Sequence, residues 1–278
     1  MSYAFVTSKE EFPTSSISLS ARLRGAVHSV VQPSCVRTNQ NTGLIRLIAC
    51  LTMFIDHAGK MLFPQYPVMR LIGRLAFPLF TYGIAVGAVC TRNPMRYLSR
   101  VVLLALISQP LYALGLAHEN SAMYAVSFLE SPLRAAFTFY IQSWQTPSIL
   151  LSLSLGLGIL ISLRQKRLIL ALGLYVLCER FSSFLDYGVE GVRLMLLFYF
   201  LLEHPLLCLL ATCSYLIHWA AQGSGYVFFG MNFGMRIYAL PAVILACLPM
   251  KRGFRLPQWF TYGFYPAHLA LLAVLSRL

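Results

Sequence analysis

Asp56 and His57 stand side by side in the run IDHAGKMLF, within a stretch that is otherwise apolar. A carboxylate next to an imidazole fixes its tautomer and raises its basicity, which suits a general base near neutral pH. Arg70 and Arg74, in MRLIGRLAFP, are four residues apart and so share one face of a helix. Two chemistries are open to them: gripping the phosphates of a nucleotide-type donor, or stabilising an oxyanion as it develops. Asp186, Glu190 and Arg193 form a third group in DYGVEGVRL, and His268 stands alone in YPAHLALL. Plainer roles compete with these. Asp56 paired with an arginine is also a staple between neighbouring helices, and a lone buried histidine such as His268 is often only a hydrogen-bonding post. No G-x-S-x-G, P-loop, G-x-G-x-x-G or H-E-x-x-H run is present, so hydrolase, ATPase, dinucleotide and zinc-protease chemistry lacks support.

The elements that must hold these residues are apolar to a degree that defines their solvent. Of 278 residues 58% are hydrophobic and 11% charged, and the mean hydropathy is +0.68, a balance that suits lipid rather than water. In hydrocarbon every backbone polar group must pair internally, so long apolar runs that do not alternate have to be helices. Such runs fall at 44–63, 68–90, 97–116, 147–163, 168–185, 187–203, 205–221, 235–250 and 259–276. The expected fold is therefore an all-α polytopic membrane protein of about nine transmembrane helices. Pro64 and Pro67 make the first two helices a hairpin, which sets Asp56 and His57 opposite Arg70 and Arg74. Ionisable groups at that depth cost several kcal/mol and mark candidate functional sites.

Residues 1–43 read as a polar cytoplasmic tail, either disordered or with a short basic amphipathic helix over Ser18–Val31, and 44–278 as the transmembrane domain. The long connection 117–146, with Phe139, Tyr140 and Trp144, suggests an interfacial helix. The G-x-x-x-G pairs Gly83–Gly87 and Gly230–Gly234 read as close packing.

A net charge of +13 raises the question of nucleic acid, but the 22 basic residues are scattered through short loops. Arg46, Arg92, Arg96, Arg100, Arg164, Lys166, Arg167, Lys251, Arg252 and Arg255 fall in alternate loops. That is the positive-inside pattern of a bacterial inner-membrane protein with its N-terminus in the cytoplasm and the bilayer, not nucleic acid, as partner. The Asp56, Arg70 and Asp186 groups then lie on the outward half. Seven cysteines form no C-x-x-C pair, and neither a disulfide nor a metal is inferred. No internal repeat is found, which weakens an inverted-repeat transporter reading.

At these residues the chain resembles the TraX family of conjugative pilin acetylases. The likeness is carried by IRLIACLTMFIDHAGKMLF, MRLIGRLAFPLFTYGIAVG, TRNPMRYLSRVVLLALISQPLY, DYGVEGVRLMLLFYF and FYPAHLALLAVL, over 44–116 and 186–276. Where many relatives place Ser-Glu before the proline of the third helix, this chain has Ser108, Gln109 and Pro110, so an acid role there is absent. The resemblance implies transfer of acetyl from acetyl-CoA to the N-terminal amine of a processed pilin subunit in the same membrane. It also implies a site in which His57, Asp56 and Arg74 are catalytic and Arg70, Asp186, Tyr187, Glu190 and His268 bind substrate. A non-enzymatic pilus-assembly factor, a transporter, and an acyltransferase acting on a surface glycan remain alternatives.

Overall fold

The computed structural model describes residues 33, 35–116, 131–228 and 230–277. The stretch Ser18–Val31 and the first part of the long connection, 117–130, lie outside them. Each apolar segment of the sequence forms helix: α1 (Thr42–Met61), α2 (Pro67–Gly73), α3 (Ala76–Cys90), α4 (Pro94–Leu116), α5 (Pro132–Ser143), α6 (Ile149–Arg164), α7 (Leu168–Arg180), α8 (Gly188–Leu201), α9 (Pro205–Ala221), α10 (Leu240–Cys247) and α11 (Gln258–Leu275). Between α9 and α10 a short antiparallel hairpin, β1 (Tyr226–Phe228) with β2 (Met231–Phe233), pairs Val227 with Asn232.

The expected second span is broken. Pro78 lies in the first turn of α3, where a missing N–H costs little, but its ring excludes the carbonyl four residues earlier and ends α2 at Arg74. The break leaves Arg74 at a helix end with its guanidinium free to turn toward α1. Pro110, inside α4, likewise cannot bond the carbonyl of Leu106; the Tyr140 hydroxyl of α5 donates to that carbonyl instead, at 3.3 Å. Gln109 beside it is fully buried and clamps the α5–α6 turn: its amide donates to the carbonyls of Ser143 and Thr146, and its oxygen accepts from the Ser148 N–H at 2.9 Å.

Among the described residues three helical stretches are long and apolar enough to span a bilayer: Thr42–Met61, Pro67–Cys90 and Pro94–Leu116. Ile149–Arg164, Pro205–Ala221 and Met235–Cys247 are apolar but shorter. The lengths of the described helices thus fall short of nine full spans. At 14 residues α8 reaches only about 21 Å, and most of it is buried among its neighbours rather than set against lipid. The outer helices show what the surroundings are. On α7 only Ala171 and Cys178 are buried, while Ile169, Leu172 and Val176 face outward, a surface water would penalise and lipid accepts.

α1 packs on α2, α3 and α11, α3 on α8 and α6, and α4 on α11 and α6. Ahead of α1, residues 36–40 are not peripheral but run into the bundle. The N–H groups of Arg37 and Thr38 donate to the Leu202 carbonyl, that of Asn39 to Ala246 and that of Gln40 to Met250, and the buried Thr38 hydroxyl pairs with Tyr82 at 2.8 Å. At this end α1, α4, α7 and α11 begin while α3 and α6 finish. Arg164 caps α3 here by donating to the carbonyls of Ala88 and Thr91, at 2.7 and 2.9 Å. Arg46, Arg92, Arg96, Arg100, Arg252 and Arg255 gather at the same end. Asp56 and His57 lie at the other.

The glycine pairs differ from expectation. Gly87 is in close contact with Tyr97, but Gly83 faces open space, Gly230 sits in the hairpin turn at φ +77°, and Gly234 packs on Gly223. Only Gly87 and Gly234 answer to close packing, and Gly234 is not on a helix.

Candidate active site

The last turns of α1 bring Asp56, His57 and Lys60 to one wall of a cavity of about 410 Å³. The short α2 helix returns antiparallel beside them, and Gly73 permits the approach, since a Cβ there would overlap the Asp56 carboxylate. Both arginines take that carboxylate. Arg70 Nη1 is 2.7 Å from Asp56 Oδ2, Arg74 Nη2 is 3.0 Å from Oδ1, and Arg74 Nε is held by the Arg70 carbonyl. One negative charge thus serves two guanidiniums, and Lys60 lines the same cavity while its Nζ donates to the Leu116 carbonyl at 2.8 Å. The corner carries surplus positive charge, so an anion that forms in it is stabilised.

His57 is not oriented by Asp56, as adjacency in sequence had suggested. Consecutive helical residues point about 100° apart, and the imidazole turns to α11, where His57 Nδ1 lies 2.8 Å from His268 Nε2. His268 is 3% exposed, and its Nδ1 lies 2.8 Å from the Phe264 carbonyl. A carbonyl only accepts, so His268 Nδ1 carries a proton, and in the neutral ring Nε2 is the acceptor. His57 Nδ1 must then be the donor, which leaves His57 Nε2 with a free lone pair, as a proton acceptor requires. His268, expected among the substrate-binding residues, does not line the cavity and holds His57 instead.

The DYGVEGVRL group divides. Asp186 and Tyr187 line the cavity, and Tyr187 stacks on Phe77 at 3.9 Å between ring centroids, with Trp219 edge-on. Gly188, at φ +58°, makes the turn into α8. Glu190 is not among the lining residues. It pairs with Arg193 at 2.6 Å, accepts from the Tyr215 hydroxyl, and shares Arg193 with Glu179, tying α7, α8 and α9 together. The structure thus places Glu190, expected to bind substrate, in a scaffold ion-pair network; as a first-turn residue three before Arg193 it turns along the helix to that partner.

Lys60, Tyr112, Arg236 and Tyr265 also line the cavity. Lys60 was legible, three residues after His57 on the same helical face. Arg236 packs over the Trp219 ring at 4.8 Å, and nothing in the sequence marks it. Tyr265 is buried, with Ser148 beside its hydroxyl.

An all-α bundle with a lipid-facing exterior, closed around a carboxylate shared by two arginines and a histidine held by a second histidine, defines an integral membrane protein with a polar chamber at one end. Its family is shown by comparison: the family model described as TraX protein matches residues 41–276, and the chain belongs to that family. A Dichelobacter nodosus protein described as probable fimbrial assembly protein FimC, serogroup H1, is 25% identical over 254 residues, covering 82% of this chain and 92% of that one. A 39-residue stretch is 44% identical to the uncharacterized protein RP591 of Rickettsia prowazekii, covering 14% of this chain and 16% of that one. No solved structure matches.

Proposed function

We propose that this protein is an inner-membrane acetyltransferase that moves acetyl from acetyl-CoA to the N-terminal amine of a processed pilin subunit in the same bilayer, in the biogenesis of a pilus. The observation that carries the reading is the free Nε2 of His57, oriented through Nδ1 by His268 and set beside the guanidiniums on Asp56. The family, and the fimbrial assembly role in the name of the Dichelobacter relative, support a pilus substrate.

The chemistry follows from these groups. The amine nitrogen attacks the thioester carbonyl carbon, a C–N bond forms, and the carbonyl oxygen takes up negative charge that Arg74, beside Arg70, balances. His57 Nε2 removes the proton from the attacking nitrogen. The C–S bond breaks as the carbonyl reforms, and the thiolate leaves as thiol by taking that proton from the imidazolium. Asp56 keeps the two guanidiniums at fixed spacing. With the arginine-rich end in the cytoplasm, the donor enters there and the acceptor meets the chamber near the outer face.

The test is the mass of the pilin N-terminal peptide from cells carrying the wild-type protein, His57→Gln, or none. The mass of one acetyl group should appear with wild type alone. Unacetylated pilin in all three strains, with pili lost only when the protein is absent, would replace this reading by a non-enzymatic assembly factor. A periplasm-dependent reporter should be active after Ser224 and silent after Gln165 or Gly253; the reverse would put the donor on the wrong side.

A further inference from the structure

The chamber at His57 has a second void against one of its walls. A narrow, mostly apolar void of about 100 Å³ shares Met53, Phe80 and Tyr265 with it. At its far side the same void shares Arg46, Tyr97, Thr261 and Tyr262 with an open basin of about 540 Å³. A further hollow of about 800 Å³ adjoins that basin through Arg46, Gly87, Cys90, Arg92 and Arg255. One face of α1 runs along the path: Arg46, Cys50, Met53 and His57 are spaced four, three and four apart, so they stack on a single stripe. Arg46 to His57 is eleven residues, a rise of about 16 Å.

The two ends differ in chemistry. The basin and the hollow are lined by Arg46, Arg92, Arg96, Arg100, Arg252 and Arg255, from α1, the α3–α4 connection, α4 and the segment before α11, and no described acidic residue lines either. Planar guanidiniums from several elements around one void suit a ligand with more than one phosphate. The neck between is apolar and slim. Gly83 lines it, and a Cβ built there meets nothing within 4 Å, so the space beside it is open rather than packed. Where neck meets chamber stands the buried Tyr265, with Ser148 beside its hydroxyl.

We infer that this path is a binding site for one elongated ligand class, a thioester whose nucleotide head carries several phosphates: head in the arginine basin, arm through the neck past Gly83, acyl carbonyl at Tyr265 and His57. The inference rests on the acetyl-transfer reading for the choice of ligand, and on the succession of adjoining voids for the route. The arm reaches the outer-half chamber while the phosphates stay at the arginine end, so the head crosses no hydrocarbon. After transfer, the thiol withdraws by the same path. An anionic lipid headgroup shares the phosphate chemistry but has no use for a neck leading to His57.

Binding can be read without acetyl transfer. Purified protein in nanodiscs of phosphatidylcholine is titrated by calorimetry with coenzyme A, which has head and arm but no acyl group, and with adenosine 3′,5′-bisphosphate, the head without the arm. Both should bind wild type. Arg92→Gln with Arg255→Gln should weaken both by at least about tenfold. Gly83→Leu, which fills the neck without touching the basin, should weaken coenzyme A by a similar factor and leave the bisphosphate unchanged, and that retained binding also shows the variant is folded. Equal binding of coenzyme A to wild type and Gly83→Leu would remove the arm from the neck. No nucleotide binding, with phosphatidylglycerol retained by wild type and lost by the arginine variant, would make the basin a lipid headgroup site. If nucleotide binding follows the prediction but pilin stays unacetylated, the path stands and the proposed reaction falls.

Discussion

His57 Nδ1 and His268 Nε2 lie 2.8 Å apart across 211 residues of sequence. The contact makes one imidazole the positioner of the other, and it fixes which nitrogen of His57 faces the chamber.

The first consequence concerns His57 itself. His57→Gln keeps a hydrogen-bonding side chain of similar reach but accepts no proton at neutral pH. Acetyl transfer should fall by at least about a hundredfold at normal membrane abundance, because general-base catalysis is typically worth about 10² to 10⁴. Transfer near the wild-type rate would dismiss His57 as the base.

His268 touches His57 rather than the chamber, so its loss should be read in turnover. His268→Ala frees the His57 ring to rotate and to take the other tautomer, and kcat should fall about tenfold to a hundredfold with KM for acetyl-CoA little changed. His268→Gln, which restores an acceptor toward His57, should recover part of the loss. A raised KM with kcat intact would instead place His268 in donor binding.

Asp56 is mostly buried and is the shared counter-charge of Arg70 and Arg74. Asp56→Asn strands two guanidiniums together and should destabilise the protein by about 3 kcal/mol, seen as a lower melting midpoint in detergent. Adding Arg70→Gln should return part of that stability, and no recovery would mean the pair is not coupled through Asp56. Arg74→Lys should accumulate normally yet lose most activity, since a point charge cannot replace the planar fork.

Much of this site was legible in sequence and some was not, for identifiable reasons. The Asp56–Arg70–Arg74 cluster follows from a proline-bounded hairpin and an i, i+4 pair, both local. The break at Arg74 was local as well, written in Pro78, but hydropathy runs through it unchanged. His268 as partner of His57 was out of reach, because no periodicity reports a contact between helices 211 residues apart. The place of Glu190 was not legible because DYGVEGVRL reads as one charged unit, whereas Asp186 and Tyr187 precede α8 and line the chamber and Glu190 lies on α8 and pairs with Arg193.

The buried Gln109 amide makes two donations to the α5–α6 turn. Gln109→Glu should therefore cost about 1 to 3 kcal/mol, because a carboxylate can donate neither and would face two carbonyls. Unchanged thermal stability of the variant would show that the turn is held by other contacts.

Residues 36–40, threaded between the Leu202, Ala246 and Met250 carbonyls, also say something about assembly. The carbonyls that accept from their N–H groups are made more than 160 residues later, as the Cys35 N–H to Glu203 contact at a separation of 168 illustrates. The segment just ahead of α1 emerges from the ribosome before any of them exists, so it must wait at the membrane surface until α8, α9 and α10 have been inserted. Its docking is a closing step that latches the first part of the domain to the last.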